Sequence, residues 1–286
     1  RFTKYFPELN LFVGIDHINH QSGTSTDGIN WSISDWDPLV FSTLEVLFMI
    51  YSSELNLFVA LSADYKRSGQ IITSTDGINW TKRYEGGDDD YIESITYSPE
   101  LNLFVAGGKN SNMYTSTDGI NWTKYQLTIF SQYSLPSIDS VMYYSELKLF
   151  VALGGGAIIT SNDGINWTKV SNVSFRTMML YYSELNLFIG LGKSEIYTST
   201  NLKDWKSLIK INSLLTQILM QDDVLYVVGD VNLYSSTNDV KNQIDKLSEN
   251  SDMNLSLKIG TNKFTLSYDE GYARAIVKYT NKYLGV

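Results

Sequence analysis

Six tryptophans occur in this chain, and five of them, Trp31, Trp80, Trp122, Trp167 and Trp205, close copies of one short phrase. Trp36 belongs to no copy. Around it in the sequence lie Asp16, His17 and His20, then Asp64, Tyr65 and Arg67, then Tyr84, Asp88 and Tyr91, and finally Tyr133. Aromatic faces interleaved with carboxylates, imidazoles and a guanidinium suit a carbohydrate. A ring stacks on the C–H face of a sugar, and short polar groups read its hydroxyls. These residues form the candidate ligand-binding set. For Trp36 a plainer role stands beside that one, which is to cover the edge of the first repeat.

Other chemistries have less support. Asp16, His17 and His20 have a spacing conceivable for a metal, but two imidazoles in one loop fall short of a ligand set. The run Gly86-Gly87-Asp88-Asp89-Asp90 is dense in oxygen, as a calcium loop would be, yet lacks the alternation of such loops and reads as a solvated acidic loop. A glycoside hydrolase needs two carboxylates about 5 Å apart if retaining and about 6.5–9.5 Å apart if inverting. Asp16, Asp64, Glu85 and Asp88 to Asp90 are available, but nothing in their spacing brings two together. No catalytic residue, metal or cofactor is therefore assigned.

Composition bounds the partners. The 286 residues carry a net charge of −9, which disfavours nucleic acid and anionic membranes, since both need clustered Lys and Arg. No apolar run reaches the 18 residues of a membrane-spanning helix. Cysteine is absent, so disulfides and thiolate metal sites are excluded. The sequence opens on Arg1 with no signal-like segment after it, as expected of a piece cut from a longer protein.

The elements that position these side chains are repeated. Ser25-Thr26-Asp27-Gly28-Ile29-Asn30-Trp31 recurs around Asp76, Asp118 and Asp163, more loosely before Trp205, and in decayed form at Ser236–Asp239. A second phrase, Glu8-Leu9-Asn10-Leu11-Phe12, alternates with the first and returns every 38 to 46 residues. Within one unit, Ile95–Tyr97, Leu101–Ala106, Met113–Ser116 and Trp122–Tyr125 are short alternating or apolar runs separated by turn residues. Four strands, a to d, in an antiparallel meander follow from that pattern. Six such units read as the blades of an all-β propeller over residues 1–237. Tyr5, Tyr51, Tyr97, Tyr143 and Tyr181 fall on strand a and are expected to pack in layers around the axis.

The Ser-x-Asp-Gly-x-x-Trp phrase resembles the Asp-box, or bacterial neuraminidase repeat, one residue tighter between Asp and Trp than the common sialidase form. That resemblance implies a β-propeller in which Asp27, Asp76, Asp118 and Asp163 cap the c–d turn and the tryptophans wedge between blades. It implies a structural turn and no site, because a residue present in every copy cannot supply an asymmetric constellation. Sialidase activity is not expected. Arg1, Arg67, Arg83, Arg176 and Arg274 are scattered, and none sits in the Phe-Arg-Ile-Pro context of those enzymes.

Departures from the repeat point to a face. Successive turns of a meander alternate ends, so b–c loops and d–a connections share one face, and a–b turns and c–d boxes share the other. The first three units are longer than the last three, and every insertion falls in a b–c loop or a d–a connection. Loops that vary on a repeated scaffold are the usual carriers of binding groups.

After residue 237 the repeat stops. Asn238 can cap a helix with Val240, Ile244 and Leu247 on one stripe, and alternating runs follow over 254–279. The segment 238–286 either completes the sixth blade or forms a separate oligomerising module. A helical seam before a small β tail looks like the ends of phage tail fibres and of phage tail-like particles, which implies a homotrimer. The expectation is a non-catalytic module, extracellular or particle-associated, binding a bacterial surface glycan or other cell-surface receptor. The alternatives are a glycoside hydrolase and a protein–protein scaffold.

Overall fold

The computed structural model describes residues 1–36, 45–63, 68–87, 90–130, 135–173, 175, 179–183, 186–192, 195–210, 214–221, 224–230, 254–259, 262–269 and 272–280. The chain divides into two compact units, Arg1–Asn172 and Val173–Val286.

The first unit holds four antiparallel sheets of four strands, each paired in chain order. They are β1 (Phe2–Phe6), β2 (Leu11–Asp16), β3 (Gln21–Ser25) and β4 (Ser32–Asp35); β5 (Glu45–Ser52), β6 (Leu57–Ala63), β7 (Gly69–Ser74) and β8 (Thr81–Glu85); β9 (Ile92–Ser98), β10 (Leu103–Gly108), β11 (Asn112–Ser116) and β12 (Thr123–Gln126); and β13 (Ile138–Tyr144), β14 (Leu149–Gly154), β15 (Ala157–Ser161) and β16 (Thr168–Ser171). Strands in the first position touch their counterparts in the next sheet, β1 with β5, β5 with β9 and β9 with β13. The described helical turns are short 3-10 segments such as Pro7–Leu9 and Ser145–Leu147.

Every residue of β6 is buried, because its two faces serve two interfaces. Ala60 packs with Phe6, Val13 and Ile15 of the first sheet, whereas Val59 and Leu61 pack with Ile92, Ile95 and Phe104 of the third. Val105 and Met113 join Phe150, Ala152 and Ile159 between the third and fourth sheets. This two-sided burial explains why the second strand of each unit reads as an unbroken apolar run.

The second unit contains a four-stranded sheet, β17 (Met179–Tyr182), β18 (Leu187–Leu191), β19 (Glu195–Ser199) and β20 (Lys206–Lys210). It also contains a five-stranded sheet built from β21 (Leu214–Gln221), β22 (Val224–Asp230), β23 (Asn254–Ile259), β24 (Asn262–Asp269) and β25 (Tyr272–Thr280). Their order is β21-β22-β25-β24-β23, so strands from both sides of residue 237 share one sheet. The helix expected at Asn238, with Val240, Ile244 and Leu247, and the decayed sixth box lie outside the described residues.

The repeated turn has one hydrogen-bond pattern. In the third copy Ile120 N and Asn121 N both donate to Asp118 Oδ1 at 2.8 and 2.7 Å, Asn121 Nδ2 donates to Oδ2 at 2.7 Å, and Gly119 N donates to Ser116 Oγ at 2.9 Å. Trp122 Nε1 donates to Gly119 O at 3.0 Å. Gly119 has φ +71°, and a Cβ there would stand 2.6 Å from Leu57 Cδ2 of the neighbouring sheet. The same bonds to the carboxylate form around Asp27, Asp76 and Asp163. In the fifth copy Asn201 takes the Asp position, and its Oδ1 accepts from Lys203 N and Asp204 N.

Two expectations are refined in detail. Trp80 and Trp167 are buried between sheets, but Trp31, Trp122 and Trp205 are only half-buried. The strand-a tyrosines, expected to pack in layers around the axis, make their described ring contacts with phenylalanines. Each lies on the Phe of its own sheet, as Tyr97 does on Phe104 with centroids 4.5 Å apart. The hydroxyls of Tyr5, Tyr51, Tyr97 and Tyr181 donate to Asn10, Asn56, Asn102 and Asn186 of their own a–b turns. Those asparagines carry φ of 47° to 49°, a conformation that Asn tolerates better than most residues.

Candidate functional site

The face formed by b–c loops and d–a connections is stitched by main-chain hydrogen bonds. Trp36 N donates to His20 O, Gly69 N to Asp90 O, Lys109 N to Tyr91 O, and Ser111 N to Pro136 O. Each bond ties a d–a connection to a b–c loop or to the start of a strand c. Among the described candidates, these bonds involve His20, Trp36 and Tyr91 directly.

Individually they fare differently. Asp16 accepts from Ile18 N at 3.0 Å and Asn19 N at 3.2 Å, and pairs with Arg1 Nε at 2.9 Å. Slight desolvation opposes its ionisation. The bonds from Asn19 and Ile18 and the Arg1 charge outweigh that and hold its carboxyl below the usual range. His17 Nδ1 lies 3.3 Å from the Arg1 amino group, whereas the His20 ring meets Trp36 edge-on at 6.5 Å. The two imidazoles therefore have different neighbours.

Trp36 is 9% exposed and belongs to the apolar cluster between the first and second sheets, beside Ile15 and Val46. Its ring is an edge cover and presents no open stacking platform in this structure. That corrects the carbohydrate-stacking role and favours the plainer one. Tyr91 is half-buried, with the Lys109 ammonium 5.9 Å from its ring centre. Asp64, Tyr65, Arg67, Asp88 and Tyr133 lie outside the described residues.

The acidic run holds what sequence reasoning missed. Asp90 is 7% exposed and not solvated. Its Oδ2 accepts from Tyr84 Oη at 2.8 Å and pairs with Lys124 Nζ at 2.8 Å. Its Oδ1 accepts a short bond from Tyr114 Oη and another from Asn112 Nδ2 at 3.3 Å. Burial opposes its charge, but Lys124, Tyr114 and Tyr84 together hold the carboxyl below its ordinary value. Burial first, and then the Asp90 carboxylate, push both phenols well above theirs. Tyr84, a candidate ligand-binding residue, is thus occupied in a clasp joining the second and third sheets. The signal was weak in sequence because the partners lie 22 to 34 residues downstream of Asp90, on β11 and β12. Among the described residues, then, the candidate carboxylates Asp16, Glu85 and Asp90 are all ion-paired.

These sheets agree with known folds. Residues 88–207 match the family described as the DUF6242 beta propeller domain. A streptogramin B lyase structure superposes with a TM-score of 0.58 at 10% identity, covering 82% of this chain and 80% of that one. A catalytically inactive virginiamycin B lyase from Staphylococcus aureus with quinupristin also gives 0.58, at 12% identity, covering 98% and 94%. Among curated proteins none matches the chain. At such identities the likeness shows the fold alone: an all-β, propeller-like protein of four-stranded antiparallel sheets.

Proposed function

We propose that this propeller is a non-catalytic recognition module whose b–c/d–a face binds a surface carbohydrate of a bacterial cell. The observation that carries this reading is the division of labour between the two faces. The box turns centred on Asp27, Asp76, Asp118 and Asp163 repeat one set of hydrogen bonds to the carboxylate, whereas the b–c segments range in length from Gly155-Gly156 to the longer 17–20 and 64–68. In this reading the chain works outside the cell or at the surface of a phage tail or similar particle. Asp16 and Asp90 are each ion-paired and held below the ordinary carboxylate value, which disfavours these two as the general acid of a hydrolase, since that role needs a carboxyl pushed upward.

A second reading, a protein-binding scaffold, is favoured by a different observation. The turn face exposes apolar side chains where the fold does not require them, notably Ile29 at 82%, Ile165 at 55% and Leu101 at 45%.

One experiment separates the two. Tyr65→Ala and Arg67→Ala alter the loop face, and Ile29→Ser with Ile165→Ser alters the turn face. On a bacterial glycan array the loop-face variants should each lose about 1–3 kcal/mol of binding, as truncated anchors do. The turn-face variant should bind like the parent. The parent's silence on the array would defeat the carbohydrate reading, and capture of a protein partner lost only by the turn-face variant would establish the second.

A further inference from the structure

Buried polar atoms without a partner are uncommon in native proteins, and each calls for a reason. Three occur together here: His20 Nδ1, Ser62 Oγ and Gln70 Oε1. Ser62 is 0% and Gln70 5% exposed, and they are directly opposed on β6 and β7. The cross-strand row Val46–Ser62–Gln70–Glu85 alternates with Leu61 and Ile71, which face the third sheet, so it faces the first. Val46, Ala60 and Ile72 of that face pack in the same cluster as Trp36, against which His20 rests. Ser62 and Gln70 therefore face the interface to which Trp36 belongs, and the His20 ring rests against Trp36.

The third and fourth sheets close this place. Counted from the leucine that opens the second strand, the Ser62 position is Gly108 in the third sheet and Gly154 in the fourth. There the incoming connection packs directly on the glycine, so that a Cβ would stand 2.2 Å from Tyr91 O and 2.3 Å from Ser137 O. In the second sheet β5 instead continues to Glu45, paired with Ala63, and a side chain occupies the position. The equivalents of Gln70 are satisfied or apolar: Gln21 donates to Asp35, Asn112 to Asp90, and Ala157 has no polar group.

Ser62 and Gln70 carry no charge. Glu85 accepts from Gln70 Nε2 at 3.1 Å and pairs with Lys82 at 2.8 Å, which fixes the amide orientation and leaves only its carbonyl oxygen free. An ion placed there would be uncompensated, whereas a hydroxyl can donate to Gln70 Oε1 and accept from Ser62. We infer that the loop end of the interface between the first two sheets is a subsite for a hydroxyl-bearing group of a neutral saccharide. The inference rests on the carbohydrate reading above and deepens it by placing an anchor point.

The test titrates the full chain with glucose, galactose, mannose, N-acetylglucosamine and glycerol by saturation-transfer NMR. The variants are Ser62→Ala/Gln70→Met and the milder Ser62→Gly, which copies the third and fourth sheets. At least one sugar should bind, glycerol should not compete at equal concentration, and the double variant should bind at least tenfold more weakly. A third variant made for stability alone, Ser62→Ala, should hold or raise the melting temperature, because it removes an unpaired buried hydroxyl and leaves the Gln70–Glu85 bond in place. Unchanged sugar binding by both variants would overturn the subsite, as would glycerol binding as well as sugar. A marked fall in the melting temperature of Ser62→Ala would do so too, since it would mean that structural water already satisfies this hydroxyl. If the parent binds the glycan array while both variants match it, only the subsite falls; if the array is silent, the reading beneath it fails first.

Discussion

The two faces of the first unit solve the same problem, how to end a strand and start another, in opposite ways. On the turn face one carboxylate serves its own loop, and Asp27, Asp76, Asp118 and Asp163 are interchangeable. On the loop face a carboxylate serves neighbours: Asp90 lies between β8 and β9 yet is held by residues of β8, β11 and β12. Local closure can be copied from sheet to sheet. Closure across sheets is made once, and the space around it is free to differ.

The largest effect should come from the wedges that anchor the turn face. Trp167→Ala empties a buried site between the third and fourth sheets and should cost about 3–5 kcal/mol in chemical denaturation. Half-buried Trp31 should cost clearly less on the same substitution. Equal losses would erase the distinction between wedging and merely shielding copies.

Asp90→Ala comes next. It strands the Tyr84 and Tyr114 hydroxyls and should cost about 2–4 kcal/mol. The loss should be matched by faster amide exchange at Gly69 and Lys109, whose N–H groups bond to Asp90 O and Tyr91 O. A cost below 1 kcal/mol would mean that the loop face is held by its main-chain bonds alone.

The smallest expected effect is the most discriminating for the turn face. Asp118→Asn should cost under about 1 kcal/mol at neutral pH, since Asn201 already makes the equivalent two main-chain bonds with an amide oxygen. Acid should separate the two proteins. The turn carboxylates are held below their ordinary value of about 4, Asp76 to about 2, because the folded turn bonds to the charged form. Their contribution is complete above about pH 4 and is lost as pH falls toward about 2. Each Asp→Asn change should flatten that acid limb, and an unaltered limb would remove the box carboxylates from the explanation.

What could be read from the sequence follows the same division. The box turn was legible because all of its partners lie within six residues, from Ser116 to Trp122. The strands of the third unit appear within two or three residues of their expected limits for the same reason. Trp36 misled because an unrepeated aromatic looks functional, and only the packing of Ile15 against Val46 reveals that it closes an interface. Asp90 looked solvated beside Asp88 and Asp89, since nothing local announces Lys124 or Tyr114. Ser62 and Gln70 were invisible as a pair: each is unremarked in its strand, and their meaning comes from register and from the glycines that replace Ser62 elsewhere.

The pairing of β22 with β25 has a consequence for how the chain acquires its structure. Each four-stranded sheet uses a continuous stretch of chain, so it can form as soon as that stretch exists, with short loops to close. The five-stranded sheet differs, because Val224 and Leu225 must wait for Tyr279 and Thr280. During synthesis the edge of β22 therefore stands open until some fifty further residues are made. That interval is when this protein is most exposed to pairing with the wrong strand.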